Sequence, residues 1–545
     1  MQAPPTRFGR HISASSLSTI ANVLVGVWLA RFLTSELGVA GYAVVAMAAA
    51  LTSALAVFTS SATSAVGRFL TEALARSDDA EATRVFSSAL FAVSAAGVAL
   101  TPVILLASHN SPTMLAVAED PEPVRAYVLL TLSTTVILSA VTVFNSSAFA
   151  VGRFDLLSGL QASQALLRAA LMAGLVLYWE RTLRSVGVGM LIASMGALAA
   201  SVAVWRHLTP GLAISARAVS KTTLRTMAPM SLWVGVDTVG MLLIYGLSTL
   251  LLGRLVGAAQ AASYGLYLSV VSCVGALGGA LTGPVQPGIY SAWARGDRGE
   301  AARLVLSGAR VSLVVLALLS AGIVGLRLDL VSIWLGEGFD RVAGALAVGV
   351  PLYAFASAIS PCLAVLNARD RTSRIAVATV IAGGGHLATC LVLYSLGRVD
   401  VAAVALSAAA WVAAKMLALL CLSFDDASHA LKIFLRLGAH FAILFAPALA
   451  VAVAGSELVD LSGVGLPAIA RILVVGPAVA LTWAGCALWA LSPGDVDHLL
   501  GRAWRDTPAG RAFLSFRAEH LCSVQASAKP VGGRLRSRAG RRAWR

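Results

Sequence analysis

Three polar residues interrupt one apolar stretch of the chain at helical spacing: Gln161, Gln164 and Arg168 fall on a single face of any helix that contains them. A guanidinium is a planar, permanently charged fork that grips a phosphate or a carboxylate through two parallel hydrogen bonds, and amides bond to hydroxyls. Arg168 lies about 18 Å from the near end of its stretch at 1.5 Å per residue. A charge that deep in hydrocarbon is unfavourable by about 3 kcal/mol or more unless it faces water or a partner. The three are therefore expected to face a cavity and hold an anionic, hydroxyl-bearing ligand. The alternative is an arginine tied to carbonyls or to an acid of a neighbouring helix, serving packing alone.

Asp237 is the one carboxylate placed well inside an apolar stretch, about 13 Å from its start. Three roles stay open for it: counter-ion to Arg168 or another cation, coupling site for a proton or Na⁺, or a polar group held by its neighbours. His11, Ser15, Ser18, Asn22 and Gly26 draw a polar, small stripe along one helical face. Asn22 is its expected binding member, although such stripes equally serve close helix packing. Arg31 and Arg254 stand about a turn inside the far surface of two comparable stretches, where paired cations can receive or release an anion, or simply snorkel. Arg68, Arg76, Arg84, Arg295, Arg298 and Arg303 make a basic rim on the opposite side, suited to gathering an anionic ligand or to anchoring on anionic lipid. His386, following Gly383-Gly384-Gly385, reads as the neighbour of a helix break, and Lys415 as a snorkelling lysine.

The elements that must position these side chains follow from composition. With 58% hydrophobic and 12% charged residues over 545 positions, the chain has too little polar material to cover soluble domains. It reads as an all-α polytopic membrane protein with fourteen spans: 12–33, 39–62, 85–107, 124–147, 156–178 and 183–204, then 229–252, 262–284, 307–328, 344–366, 373–396 and 401–422, then a pair at 438–455 and 466–491. The expected organisation is a six-helix lobe over 1–215, a second over 216–425, an extra helix pair over 426–491, and a basic, largely disordered tail over 492–545. Arginine and lysine concentrate in alternate loops, which places those loops and both termini in the cytoplasm. The net charge of +15 is explained by that bias, so no nucleic-acid partner is expected. Six cysteines stand without a Cys-x-x-Cys pair, which gives neither a disulfide frame nor a metal site. The basic start and apolar run of the first 30 residues read as a retained first helix, because no small-residue cleavage site follows.

Ala75-Arg76-Ser77-Asp78-Asp79-Ala80-Glu81 and Ala294-Arg295-Gly296-Asp297-Arg298-Gly299-Glu300 read almost alike, and Ala150-Val151-Gly152-Arg153 echoes Ala368-Arg369-Asp370-Arg371. Leu29-Ala30-Arg31-Phe32-Leu33 with Gly41-Tyr42 is matched by Leu252-Gly253-Arg254-Leu255-Val256 with Ser263-Tyr264. Repeated loops in one order imply two homologous helical halves, related by an axis along the membrane normal. In Ala30-Arg31-Phe32-Leu33 with Gly38 and Gly41-Tyr42, then Arg68-Phe69-Leu70-Thr71-Glu72-Ala73-Leu74-Ala75-Arg76 and the Asp78/Glu81 loop, the chain resembles the polysaccharide (O-antigen and capsule-type) flippases of the multidrug/oligosaccharidyl-lipid/polysaccharide exporter superfamily. Ala43 stands where that family often has glycine after the tyrosine.

The resemblance implies two six-helix lobes forming a V around a cavity that opens alternately to either side of the bacterial inner membrane. It implies an undecaprenyl-pyrophosphate-linked oligosaccharide as substrate, moved from the inner to the outer leaflet, with a lateral groove for its lipid tail beside helices 13 and 14. Membrane lipids, a polysaccharide polymerase and glycosyltransferases are the corresponding partners. No Walker-type loop, His-Glu-x-x-His or Gly-x-Ser-x-Gly motif is present, so neither an enzyme nor a cofactor is expected. Two rivals remain: a multidrug/cation antiporter of the same superfamily, which calls for acids lining the cavity rather than cations, and a membrane glycosyltransferase or polymerase.

Overall fold

A computed structural model describes residues 5–63, 66–76, 78–115, 121–151, 153–424, 427–461 and 467–490, with side chains described from Leu24 onward apart from a few, Arg68 among them. The regular structure of these residues is helical throughout. The helices are α1 (Pro5–Thr63), α2 (Val66–Ala75), α3 (Asp79–Met114), α4 (Pro121–Ala150), α5 (Phe154–Tyr178), α6 (Leu183–Leu208), α7 (Lys221–Met241), α8 (Leu247–Leu255), α9 (Ala258–Thr282), α10 (Gln286–Ala294), α11 (Arg298–Gly325), α12 (Arg327–Leu335), α13 (Asp340–Ala358), α14 (Pro361–Ala368), α15 (Thr372–Ser395), α16 (Val401–Ser423), α17 (Ala427–Leu461) and α18 (Ala468–Ala490). A π-helical segment, Leu242–Gly246, joins α7 to α8.

Thirteen helices among the described residues are long and apolar enough to cross a membrane, against fourteen expected. The difference lies at the start of the chain. The first two expected spans both lie in α1, which is two helices meeting at a kink: Gly38 between them holds a non-helical backbone (φ 71°, ψ 175°), a conformation only glycine adopts readily. The matching connection in the second half, between α8 and α9, turns on Gly257 at φ 130°. The tail over 492–545 lies outside the described residues.

The repeated loops fold alike. Asp78 caps α3 by accepting from the Glu81 amide, and Asp297 caps α11 by accepting from the Glu300 amide. Before each cap the aspartate amide donates back to an alanine carbonyl, Asp78 to Ala73 and Asp297 to Ala292. After α4 and α14 the same turn recurs, with Arg153 donating to the Ala148 carbonyl and Arg371 to that of Leu366, each at 2.9 Å. An Asp two or three residues before an acid satisfies the orphan amides of a helix start, so this part of the repeat is dictated locally by sequence.

Packing joins the two halves along α1, which lies against α7 and α9. The first half buries Phe86, Phe144 and Trp205 as a mutual aromatic cluster, with Phe86 stacked on Trp205 at 5.4 Å. The segment linking the halves is tied to α3 by Ser87 and Ser88, whose hydroxyls accept from the amides of Ser215 and Ser220. The extra pair docks on the second half: Ala448 and Ala452 of α17 and Val475 and Val479 of α18 pack with Ala321 of α11.

The triple glycine of α15 does not break the helix, which runs unbroken from Thr372 to Ser395. It lets neighbours close in instead. A Cβ on Gly383 would stand 2.7 Å from the Gly240 carbonyl oxygen of α7, and one on Gly385 would meet the Trp411 ring of α16. Gly383→Val is expected to destabilise the protein by about 1–3 kcal/mol through overpacking, read as a lower Tm in detergent; an unchanged Tm would contradict this packing.

Candidate functional site

A cavity bordered by both halves, about 1300 Å³, opens among the ends of the helices that carry the basic loops. From the first half it takes Thr142, Asn145, Ser146 and Phe149 of α4 and Gln161 of α5; from the second, Trp233 and Asp237 of α7, Tyr290 of α10, Asn367 of α14 and Ser373 of α15, with Asp370 in the turn between. The surface is one of amides, hydroxyls and aromatic rings. Asn145 Oδ1 is buried and has no hydrogen-bond partner, so a ligand donor could satisfy it. Asp370 holds a left-handed backbone (φ 51°), an uncommon state for a residue with a side chain.

Gln161 and Asp237 are thus brought together from the expected site residues, while Arg168 and Gln164 are absent from the cavity lining. Arg168 sits two helical turns beyond Gln161 on the same helix, about 10 Å deeper by helical rise. Its Nε is buried without a hydrogen-bond partner, and its charge acts on Tyr127 of α4. The expectation of a cationic cavity needs correction at this level, because the charged lining residues are Asp237 and Asp370. The physical reason is placement: the basic residues stand behind the wall or above it.

Behind the wall, Asp237 accepts a hydrogen bond from Thr379 of α15 at 2.5 Å and interacts with the charge of Lys415 on α16. Lys415 does not snorkel to the surface; it is buried, 7% exposed. The nearby Asp237 charge favours the ammonium there. His386 likewise is neither exposed nor beside a break. Its Nε2 pairs with Ser248 Oγ at 2.7 Å and its Nδ1 with Ser407 Oγ at 2.9 Å, clamping α8, α15 and α16 together.

At the opposite end of the bundle Arg31 and Arg254 make reciprocal bonds between the halves. Arg31 Nη1 donates to the Ile333 carbonyl of α12 at 2.6 Å, and Arg254 Nη1 to the Thr113 carbonyl of α3 at 3.1 Å. Trp334 Nε1 adds a third, to the Val27 carbonyl at 2.8 Å. Each bond contributes about 1 kcal/mol, and together they hold that end shut while the cavity end stands apart. Replacing both arginines with alanine is expected to lengthen the distance between spin labels at Glu180→Cys and Arg398→Cys, read by pulsed electron resonance. An unchanged distance distribution would show that these bonds do not restrain the halves.

The rim is partly self-neutralised. Arg84 pairs with Glu81 at 2.7 Å and Arg295 with Glu300 at 2.9 Å, while Arg298 and Arg369 both cover the Trp293 ring. Arg76 is exposed. The side chains of Asn22 and Arg68 lie outside the described residues. Sequence reasoning missed Trp233, Asn145, Asn367 and Tyr290. Asn145 was legible as an amide inside span four; the others gain meaning only when the two halves meet.

A family model described as "Polysaccharide biosynthesis protein" matches residues 8–291. Among known proteins, the chain is 22% identical over 392 residues to the uncharacterized membrane protein EpsK of Bacillus subtilis (strain 168), covering 71% of this chain and 77% of that one. Among solved structures it is similar to the inward-facing conformation of a multidrug resistance MATE family transporter of the MOP superfamily, with TM-score 0.65, 12% identity and coverage of 76% and 96%. It is also similar to the lipid II flippase MurJ in its inward closed conformation, with TM-score 0.61, 14% identity and coverage of 86% and 98%. The fold is therefore the one those two proteins share, and the match over more than half its length shows that this multi-pass membrane chain belongs to the polysaccharide biosynthesis protein family.

Proposed function

We propose that the protein flips an undecaprenyl-pyrophosphate-linked oligosaccharide from the inner to the outer leaflet of the bacterial cytoplasmic membrane, by alternating access between two lobes, 1–215 and 216–425. The basic-loop ends and both termini face the cytoplasm in this reading. The observation that carries it is the cavity. Its volume of about 1300 Å³ exceeds the roughly 300–1,000 Å³ typical of sites for drug-sized ligands, and its lining offers what a sugar chain needs. Asn145, Gln161, Asn367 and Ser373 bond to hydroxyls, and Trp233 and Tyr290 present ring faces to sugar rings. The family match to polysaccharide biosynthesis supports the same direction.

Charge follows a path through this site. Exposed Arg76 and its neighbours draw the anionic lipid to the cavity mouth. Arg168 then serves the pyrophosphate once the head is inside, its unpartnered Nε completing a charge-assisted bond. Asp237 keeps Lys415 in place behind the wall and is the group that a coupling ion or proton would address. When the halves rock, the bonds of Arg31 and Arg254 release, and both guanidiniums become available to the departing phosphate. A polysaccharide polymerase and glycosyltransferases would supply and consume this lipid.

One observation favours a second reading, a cation antiporter: the charged groups on the cavity wall are Asp237 and Asp370. Asp237 is matched by Lys415, and Asp370 stands between Arg369 and Arg371, which leaves little net negative charge for an organic cation. The test is made in cells. Arg168→Ala and Asn145→Ala are expected to accumulate unflipped lipid carrier on the cytoplasmic side. Loss of oligosaccharide assembly in detergent extracts of these variants would instead indicate a glycosyltransferase, and export of cationic dyes with normal carrier turnover an antiporter.

A further inference from the structure

A second recess, about 670 Å³, lies across the seam of α7 and α15 from the central cavity. It runs between α15 and α16, bounded by Ser373, Arg374, Val377, Ile381, Trp411 and Lys415. Along α15 it extends from Arg374 to Ile381 and along α16 from Leu422 back to Trp411, about 10–17 Å of helical rise, so it reaches from one membrane surface toward mid-bilayer. Ala378, Ala414 and Ala418 leave its floor open, and Val377 and Ile381 are well exposed along its edge. One end carries the Arg374 cation, Lys415 borders the recess further in, and most of the remaining lining is apolar.

Trp233 and Ser373 line this recess and the central cavity alike. The seam between α7 and α15 is sealed toward mid-bilayer, where Gly240 packs on Thr379 and Gly383. Toward the basic-loop end the indole of Trp233, 39% exposed, stands between the two spaces. A substrate with a sugar head in water and a hydrocarbon tail in lipid must cross such a seam during every cycle.

We infer that this recess holds the isoprenoid tail of the lipid-linked substrate, that the tail enters the seam past Trp233, and that Arg374 meets its phosphate at the membrane surface. The inference rests on the flippase reading and relocates the tail from α17 and α18, where the family resemblance had placed the groove. A single chain with one anionic end matches a recess that is mostly apolar along its length and carries Arg374 at its mouth. α17 docks on α11 and touches α16, and Val377 and Ile381 of α15 stay exposed to meet lipid.

The test uses the full chain in vesicles with a long-chain polyprenyl phosphate bearing a terminal diazirine, and a diacyl phosphatidylglycerol diazirine as the comparison. Photolysis is expected to mark Val377, Ile381 and Ala418 with the polyprenyl probe at least tenfold more than with the diacyl probe. Ala418→Phe and Ile381→Trp, both at exposed positions, are expected to abolish that marking by filling the recess. Equal marking by the two probes would show that bulk lipid occupies the recess, and adducts on α17 or α18 would place the tail there; either overturns the inference. Flipping by the unaltered protein, measured in the same vesicles, separates the two claims. Retained flipping with adducts elsewhere removes the recess alone, whereas specific adducts without flipping remove the transport reading.

Discussion

Arg168→Met is expected to abolish transport, lowering the flipping rate at least tenfold, while leaving Tm unchanged or slightly higher. The two halves of this expectation have one cause. Arg168 is half-buried, with a buried Nε that has no hydrogen-bond partner, so it contributes desolvation without full compensation, and replacing such a group by an apolar one of similar length is often neutral or stabilising by about 1 kcal/mol or more. A residue kept at a cost to stability is held for a ligand. Arg168→Lys retains the charge but loses the planar fork and is expected to recover only part of the rate. A parallel fall in Tm and transport would assign Arg168 to helix packing instead, through Tyr127 and its neighbours.

Asp237→Asn is expected to lower stability by about 1 kcal/mol. Asp237 is half-buried at the cavity wall and acts on the Lys415 ammonium as a nearby charge, not through a direct ion pair, and charge interactions in contact with water contribute about 0–1 kcal/mol. The asparagine still accepts from Thr379, so the loss isolates the charge left on Lys415. Lys415→Met in the same chain is expected to restore most of the Tm, because an apolar side chain then fills the recess wall. Thermal unfolding of the two single variants and the double variant gives the coupling directly. Additive losses would mean that the two charges act independently.

The fold was largely legible because its signals are local and strong. Apolar length set the spans, Asp78 and Asp297 announced matching helix starts, and the reciprocal placement of Arg31 and Arg254 followed from the repeat. What escaped reading depended on contacts between distant segments. Gly383-Gly384-Gly385 suggests a break in isolation, yet Gly240 and Trp411 use the missing side chains as room to approach. Lys415 looked like a snorkelling lysine until Asp237 arrived on a helix far away in sequence. The first two expected spans meet at a kink within α1 with no loop between them, since one glycine at positive φ lets the chain turn there. In the site, Gln161 and Asp237 were found from polarity within apolar stretches. Trp233 and Tyr290 carry no such signal, because an aromatic near a span end serves the interface equally well.

The most direct measurement of the central claim uses purified protein in vesicles loaded on one side with a fluorescent undecaprenyl-pyrophosphate-linked oligosaccharide, with an impermeant quencher reporting the leaflet. The account predicts loss of protected fluorescence in vesicles holding the unaltered protein, and none beyond protein-free vesicles for Arg168→Met. Equal rates in all three would contradict it.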